Sequence, residues 1–461
     1  MSDNTPDDDF QEMLRRMLGG DQNAFGEAGI DPEQLRNMGV DPAQLQQMMA
    51  AFQQAMSTSN GEIPWDSART GALHVANQDS LAITSGQRND LAGAFQLADL
   101  WLSEATNLDP TGQLPIVLTR GEWVEQTLPV WQETAEPVAE SVADALTDAL
   151  EQQTPEEMRQ AISGASRMIR QVGGSLFAAQ LGQVVGKLSK EVVSGGDVGI
   201  PVLPPGVAAI LPQNFDDLGE GLEIPHEELA LYFAARELAH ARLFKHAKWL
   251  RLHVMSQVTD FARGIHIDTD VLDDLAGRFD PSDPQELQEA LGSGALLPKQ
   301  TEAQKHALDR LENMLALIEG WVDVVAADAA ARIPSLDRIA EATRRRRAVG
   351  GPAQDALGML VGLQLRPRRL REAAAMWRAI GDAVGRDVRD GLWDYPDLVP
   401  TAEDIDNPQG LIARLEASAR GEEAPRDEMD EALAQLFAEA EAEEPGDDAG
   451  EAPSGDEPDR S

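Results

Sequence analysis

Residues 231–244 read LYFAARELAHARLF, and the segment Arg236-Glu237-Leu238-Ala239-His240 at its centre is one residue away from H-E-x-x-H. In that pattern two imidazoles four residues apart hold zinc from one helix face, and the glutamate between them activates the bound water as general base. Glu237 and His240 are in register here, but an arginine stands where the first ligand belongs. A guanidinium stays protonated near neutral pH and offers a metal no lone pair. Three readings follow: a hydrolase with a rebuilt metal site, a hydrolase scaffold without its metal, or a helix that only carries the spacing.

The surrounding helix constrains the choice. Pro225-His-Glu-Glu228 places acidic residues in a first turn, where the helix dipole favours them. From Leu229 onward the segment is apolar nearly all round, which predicts a buried helix. Residues four apart share a line on a helix, so Arg236 and His240 stand with Leu229, Phe233, Leu243 and Ala247. Glu237 stands on the next line with Ala230, Ala234, Ala241 and Phe244. Three polar side chains thus leave apolar faces, and buried charges persist only when paired.

Their partners are expected on a second apolar helix, HALDRLENMLALIEGWVDVVAADAAARI. Leu308, Leu311, Leu315, Ile318, Val322 and Val325 make its core stripe, with Glu312, Glu319 and Asp323 on a neighbouring line. Glu312 reads as part of a solvated face, whereas Glu319 and Asp323 are flanked by Ile318, Trp321 and Val322. With no other buried cation evident, the Arg236 guanidinium is expected to stand in for a metal ion by bridging Glu237 or Glu319. The remaining histidines lack the spacing to rebuild a site. His246 and His253 share a face only with each other, His226 precedes the buried stretch, and His74, His266 and His306 have no ligand spacing of their own.

The chain totals bound the rest. With 461 residues and 42% apolar content it can bury a sizeable core. It contains no cysteine, which removes disulfides, thiolate metal sites and thiol nucleophiles and fits a reducing cytoplasm. The N-terminus has no basic-then-apolar pattern, and the most apolar run, near 173–186, is too short to span a bilayer. A net charge of −42 repels nucleic acid and anionic lipid at long range. It is uneven: residues 421–461 carry 16 acidic and 2 basic residues.

Three regions are expected. Residues 1–60 form a mobile Gln-, Met- and Asp-rich leader with short helices opened by Asp-Pro. A helical body covers 61–420, with two lobes meeting near 195–225, and 421–461 is a disordered acidic tail. Within the body, Thr119-x-x-Glu122, Thr154-x-x-Glu157 and Thr301-x-x-Gln304 fit capping boxes. Gly174, Ala178, Gly182 and Gly186 recur every fourth residue as a seam for a close helix neighbour. The Pro- and Gly-rich segment 194–214 breaks the helices and leaves room for a short strand at 207–211. DPSDP at 280–284 and Gly350-Gly-Pro352 read as turns. Trp65, Trp101, Trp123, Trp131, Trp321 and Trp377 are expected in the core. Eight arginines between Arg344 and Arg371 are expected to pair with carboxylates of the chain rather than with nucleic acid, because no aromatics interleave them. No G-x-S-x-G elbow is present.

The stretches DLWLSEATNL, QLGQVVGKLSKEV, GGDVGIPVLP, ALYFAARELAHARLF, KWLRLHV and LENMLALIEGWVDVV resemble the bacterial zincin-like metallopeptidase type 2 family, usually labelled zinc-dependent metalloprotease or hydrolase. RRRRAVGGPAQDALGMLVGLQLRPRRLREAAAMW continues the likeness, which runs from about Trp65 to Trp377. The resemblance implies a mainly α, zincin-like helical body with few or no strands. It places Glu237 at the general-base position and His240 and Glu319 at metal-ligand positions for zinc; Asp323 and Trp321, beside Glu319 on its helix, are candidates to support them from behind. A related branch has His where this chain has Trp321. Because Arg236 replaces the first ligand, the expected function is a metal-poor or inactive relative that binds a peptide or protein partner. An active metallopeptidase or hydrolase with a rebuilt metal site is the alternative.

Overall fold

A computed structural model describes residues 63–152, 159–264, 301–348, 356, 358 and 369–421. The expected leader, the Thr154 capping box, both predicted turns, His266 and all but the first residue of the acidic tail lie outside the described residues. The described chain is mainly helical, as the capping and periodicity predict. In order it forms α1 (Trp65–Asn77), α2 (Ser85–Ala105), β1 (Ile116–Val117), α3 (Arg120–Gln152) and α4 (Arg159–Leu188). Next come β2 (Ala209–Ile210), α5 (Pro212–Glu220), α6 (His226–His246), α7 (Lys248–Arg263) and α8 (Glu302–Ala329). The series ends with α9 (Leu336–Ala348), α10 (Leu370–Gly391), α11 (Ala402–Asp406) and α12 (Pro408–Ala419). The chain divides into two units between Asp406 and Asn407, so α12 belongs to the second, where the Asn407 side chain caps it at Gly410 N.

Local chemistry starts these helices where the sequence places them. Thr301 and Gln304 make a reciprocal capping box at α8. Thr119 and Glu122 do the same before α3, with the Glu122 carboxylate accepting from Thr119 N at 2.7 Å. The pair Thr84 and Gln87 caps α2 in the same way. That box was legible as T-x-x-Q and escaped the sequence reading. The small-residue seam on α4 packs on α1. A Cβ on Gly182 would lie 2.6 Å from Ala68 O, and one on Gly186 would lie 2.6 Å from Val75 Cβ. Only glycine lets these backbones approach so closely.

The sheet is minimal. β1 and β2 run parallel, with Ile116 opposite Ala209 and Val117 opposite Ile210, and Ser194 bridges Ile210 from the other side. β2 falls inside the predicted 207–211 segment. Around it, α6 packs on α2 and α8, while α8 packs on α10. The core includes Trp123, Trp131, Trp321 and Trp377, each fully buried. Trp65 and Trp101 are only half-buried, contrary to expectation: Trp65 is the first residue of α1, and Trp101 lines an open cavity with Arg332 over its ring. Among the described residues no helix is long and apolar enough to cross a membrane.

Candidate functional site

The side chains of Arg236, Glu237 and His240 all leave the buried section of α6. Every residue from Tyr232 to Phe244 is buried, and the three polar groups are at most 7% exposed. Leu315 to Ala326 of α8 is equally buried and carries Glu319 and Asp323. The two helices pack against each other, which brings the carboxylates of α8 to the polar line of α6.

Of the two bridges expected for Arg236, the structure forms the one to Glu319. The guanidinium donates to Glu319 Oε2, and its second nitrogen lies 3.6 Å from Asp323 Oδ1. Burial works against the charge of Arg236, but Glu319, Tyr232 and Asp323 outweigh it and hold the guanidinium firmly protonated. His240 Nε2 lies 3.4 Å from Glu319 Oε1, without the alignment of a hydrogen bond. Its ring leans on Phe244, with centroids 5.0 Å apart.

Glu237 faces a different environment. Its carboxylate accepts from Gly196 N at 3.0 Å and from Ala209 N at 3.2 Å, so it pins the 194–211 segment and β2 to α6. Burial pushes its carboxyl above the usual range, against the lowering pull of His240 and of the two backbone N–H groups. Gly195 and Gly196 permit this approach. A Cβ on Gly195 would come within 2.6 Å of Glu237 Oε1, and one on Gly196 would meet His240 Cγ at 3.1 Å. The cavity beside Glu237 and His240 has a volume of about 30 Å³, room for roughly one water.

The ionic cluster continues through the arginine-rich segment, whose described members pair with carboxylates of the chain as expected. Arg344 of α9 donates to Asp323 Oδ2 at 3.2 Å. Arg346 grips both oxygens of Asp197 at 2.8 and 2.6 Å, and Asp197 in turn accepts from Val193 N. Two residues of the arginine cluster thus anchor the surroundings of Arg236, while Arg345 pairs with Glu341 at 2.9 Å. Arg242 was missed altogether. It is fully buried and donates to Asp99 and to the carbonyl of Leu108, which ties α6 to α2. The apolar run around it was the available signal.

Trp321 is fully buried and donates its indole N–H to Asp390 Oδ1 at 3.0 Å. Four of the other histidines have partners of their own: His226 with Asp216, His246 with Asp394, His74 with Gln78, and His253 against Trp249. Among the described residues, no group of three or more histidines and carboxylates is arranged to hold a metal. Zinc does not fit this donor set. The first position carries a protonated guanidinium, and that guanidinium occupies the carboxylate that would otherwise reach the metal.

A mainly helical body, with a Glu-x-x-His helix packed on a carboxylate-bearing helix, defines a zincin-like protein with an altered centre. The chain belongs to the zincin-like metallopeptidase family, whose profile matches residues 63–412. Arg236-Glu237-x-x-His240 occupies the place of that family's H-E-x-x-H. The fold is similar to the crystal structure of a provisionally assigned hydrolase with a novel fold from Chloroflexus aurantiacus. That likeness has a TM-score of 0.52 and 20% identity, and it covers 77% of this chain and 99% of the other. No curated protein matches the chain.

Proposed function

We propose that this protein is a zincin-like scaffold that binds a peptide or protein segment and has given up metal-dependent hydrolysis. The observation that carries the reading is the seating of Arg236 on Glu319 and Asp323. In this reading Glu237, His240 and Glu319 keep the general-base and ligand positions of the family but work as structural groups. Asp323 steadies Arg236, and Trp321 steadies α8 through Asp390. The water-sized cavity beside Glu237 supports the same view, since no peptide group enters a space of about 30 Å³.

The partner would instead use the groove along residues 110–118. Its volume is about 740 Å³, within the usual range for ligand sites of several hundred Å³. Leu238 of α6 lines it, and Leu114 at its edge is 89% exposed. An extended peptide beside β1 would gain main-chain hydrogen bonds and place alternate side chains on this apolar lining. The leader and the acidic tail are accessory arms to the 61–420 body in this scheme.

Metal analysis of purified protein, run beside Arg236→His, tests the central claim. Wild type should carry no stoichiometric zinc, and the variant should gain zinc affinity because an imidazole returns a lone pair to the helix face. Tightly held zinc in the wild type, with peptide-bond cleavage lost on chelation, would instead establish the active metallopeptidase. A peptide array probed with wild type and Leu114→Asp tests the groove. Equal capture by both proteins would rule it out.

A further inference from the structure

Between α2, α8 and α10 lies a second cavity, about 430 Å³, that takes no part in the Arg236 cluster. Four arginines line it, Arg332, Arg378, Arg386 and Arg389, against three carboxylates, Glu104, Asp328 and Asp382. Four guanidinium groups gather here in a chain whose Lys and Arg number 38 against 80 Asp and Glu, and with Asp390 holding Arg389 the exposed three face three carboxylates.

The four arginines are not equivalent. Arg389 is 3% exposed and held within the protein, donating to Asp390 at 2.8 Å and to Ala105 O at 2.9 Å, with its third nitrogen 3.9 Å from Asp328. It forms the floor. Arg332, Arg378 and Arg386 are exposed at the rim, and each donates one hydrogen bond within the protein. Arg332 bonds Glu104 and lies 5.8 Å above the Trp101 ring, Arg378 bonds Asp328, and Arg386 bonds the carbonyl of Glu104. A guanidinium carries five N–H donors in a planar fork, so most of the donors on these three are left for solvent or a ligand. The existing contacts are exposed and exchange at little cost, so the heads can turn to a ligand. Gly381 on α10 keeps the floor open, since a side chain there would project beside Arg389.

We propose that this pocket binds a small molecule carrying a phosphate monoester. Several forks around one cavity suit an anion with three terminal oxygens better than a single carboxylate, which one arginine satisfies. The volume suits a metabolite-sized molecule rather than a bare ion. The field of the whole chain opposes anions at long range, so recognition rests on these local donors. Asp382, on the same rim, opposes the anion and sets the affinity below what the arginines alone would give.

Calorimetric titration of the full chain with inorganic phosphate and with adenosine 5′-monophosphate tests the proposal. Wild type should bind at least the monophosphate saturably. Arg386→Gln should weaken binding about tenfold through loss of a charge-assisted hydrogen bond, and Asp382→Asn should tighten it. Both side chains are exposed, so neither change threatens the fold. Gly381→Leu should abolish binding by filling the cavity. Absence of saturable binding for both probes, unchanged affinity in Arg386→Gln, or weaker binding in Asp382→Asn would each overturn the assignment.

Discussion

Arginine and carboxylate meet in two parts of this molecule under opposite conditions. Around α6 and α8, the side chains of Arg236, Glu319 and Asp323 are 4–8% exposed. Around the second cavity, Arg332 and Glu104 are 55% and 64% exposed, and Arg378 and Asp328 are 50% and 38% exposed. The chemistry of the pairs is the same and the solvent is not. A buried ion has lost its water and must be satisfied by fixed neighbours, so the first cluster is locked to its own members. An exposed guanidinium exchanges partners at little cost, and the second group stays available to a ligand. Residue type alone therefore does not separate a structural cluster from a binding site.

The largest expected effect sharpens that contrast. Arg236→Met removes the buried cation shared by Glu319 and Asp323, leaving Asp323 to Arg344 alone, and should cost about 3–5 kcal/mol of stability in urea unfolding. The same denaturation experiment on Arg332→Gln should show almost no change. Comparable losses in both would break the distinction drawn between the regions.

A smaller loss is expected where backbone crowds the buried cluster. Gly195→Ala would set a Cβ 2.6 Å from Glu237 Oε1 and 2.5 Å from Leu203 Cδ1. Overpacking of this kind costs roughly 1–3 kcal/mol, measurable as a lower urea midpoint with an unchanged slope.

Subtler still is a dependence on pH. Burial raises the Glu237 carboxyl, so the folded state holds its proton to a higher pH than the unfolded chain does. Its stabilising contribution is complete below the unfolded value, about 4.3, and is lost as pH rises through the folded value. The stability advantage of wild type over Glu237→Gln should therefore be larger at pH 5 than at pH 8.5. An advantage that grows with pH would show that the two backbone N–H groups outweigh burial. At the lower end, Arg345→Ala removes a partner from an exposed pair and should leave the melting temperature unchanged within error.

Much of the site could be read from local pattern. Helical periodicity placed Arg236 and His240 on one line and Glu319 and Asp323 on another; the all-round apolar character of the first segment predicted its burial, and the apolar flanks of Glu319 and Asp323 pointed to theirs. The four-residue spacing of small groups marked the seam on α4. Hidden from such reading were contacts set by chain crossing. Arg346 meets Asp197 149 residues away in sequence, and Arg242 meets Asp99 at a separation of 143. No periodicity encodes either pairing. The same blindness left Glu237 expected near Arg236, whereas the backbone of Gly196 and Ala209 claims it.

By itself the sequence determined which helices form, which faces are buried, and that the first metal position carries a side chain without a lone pair. Those properties follow from propensity, capping and side-chain chemistry, all of which act within a few residues. Tertiary packing decided which carboxylate takes the Arg236 charge, that Glu237 fastens a loop, and that three further arginines gather at an open cavity. Each of these outcomes depends on distances between segments far apart in the chain, and such distances exist only once the helices have packed.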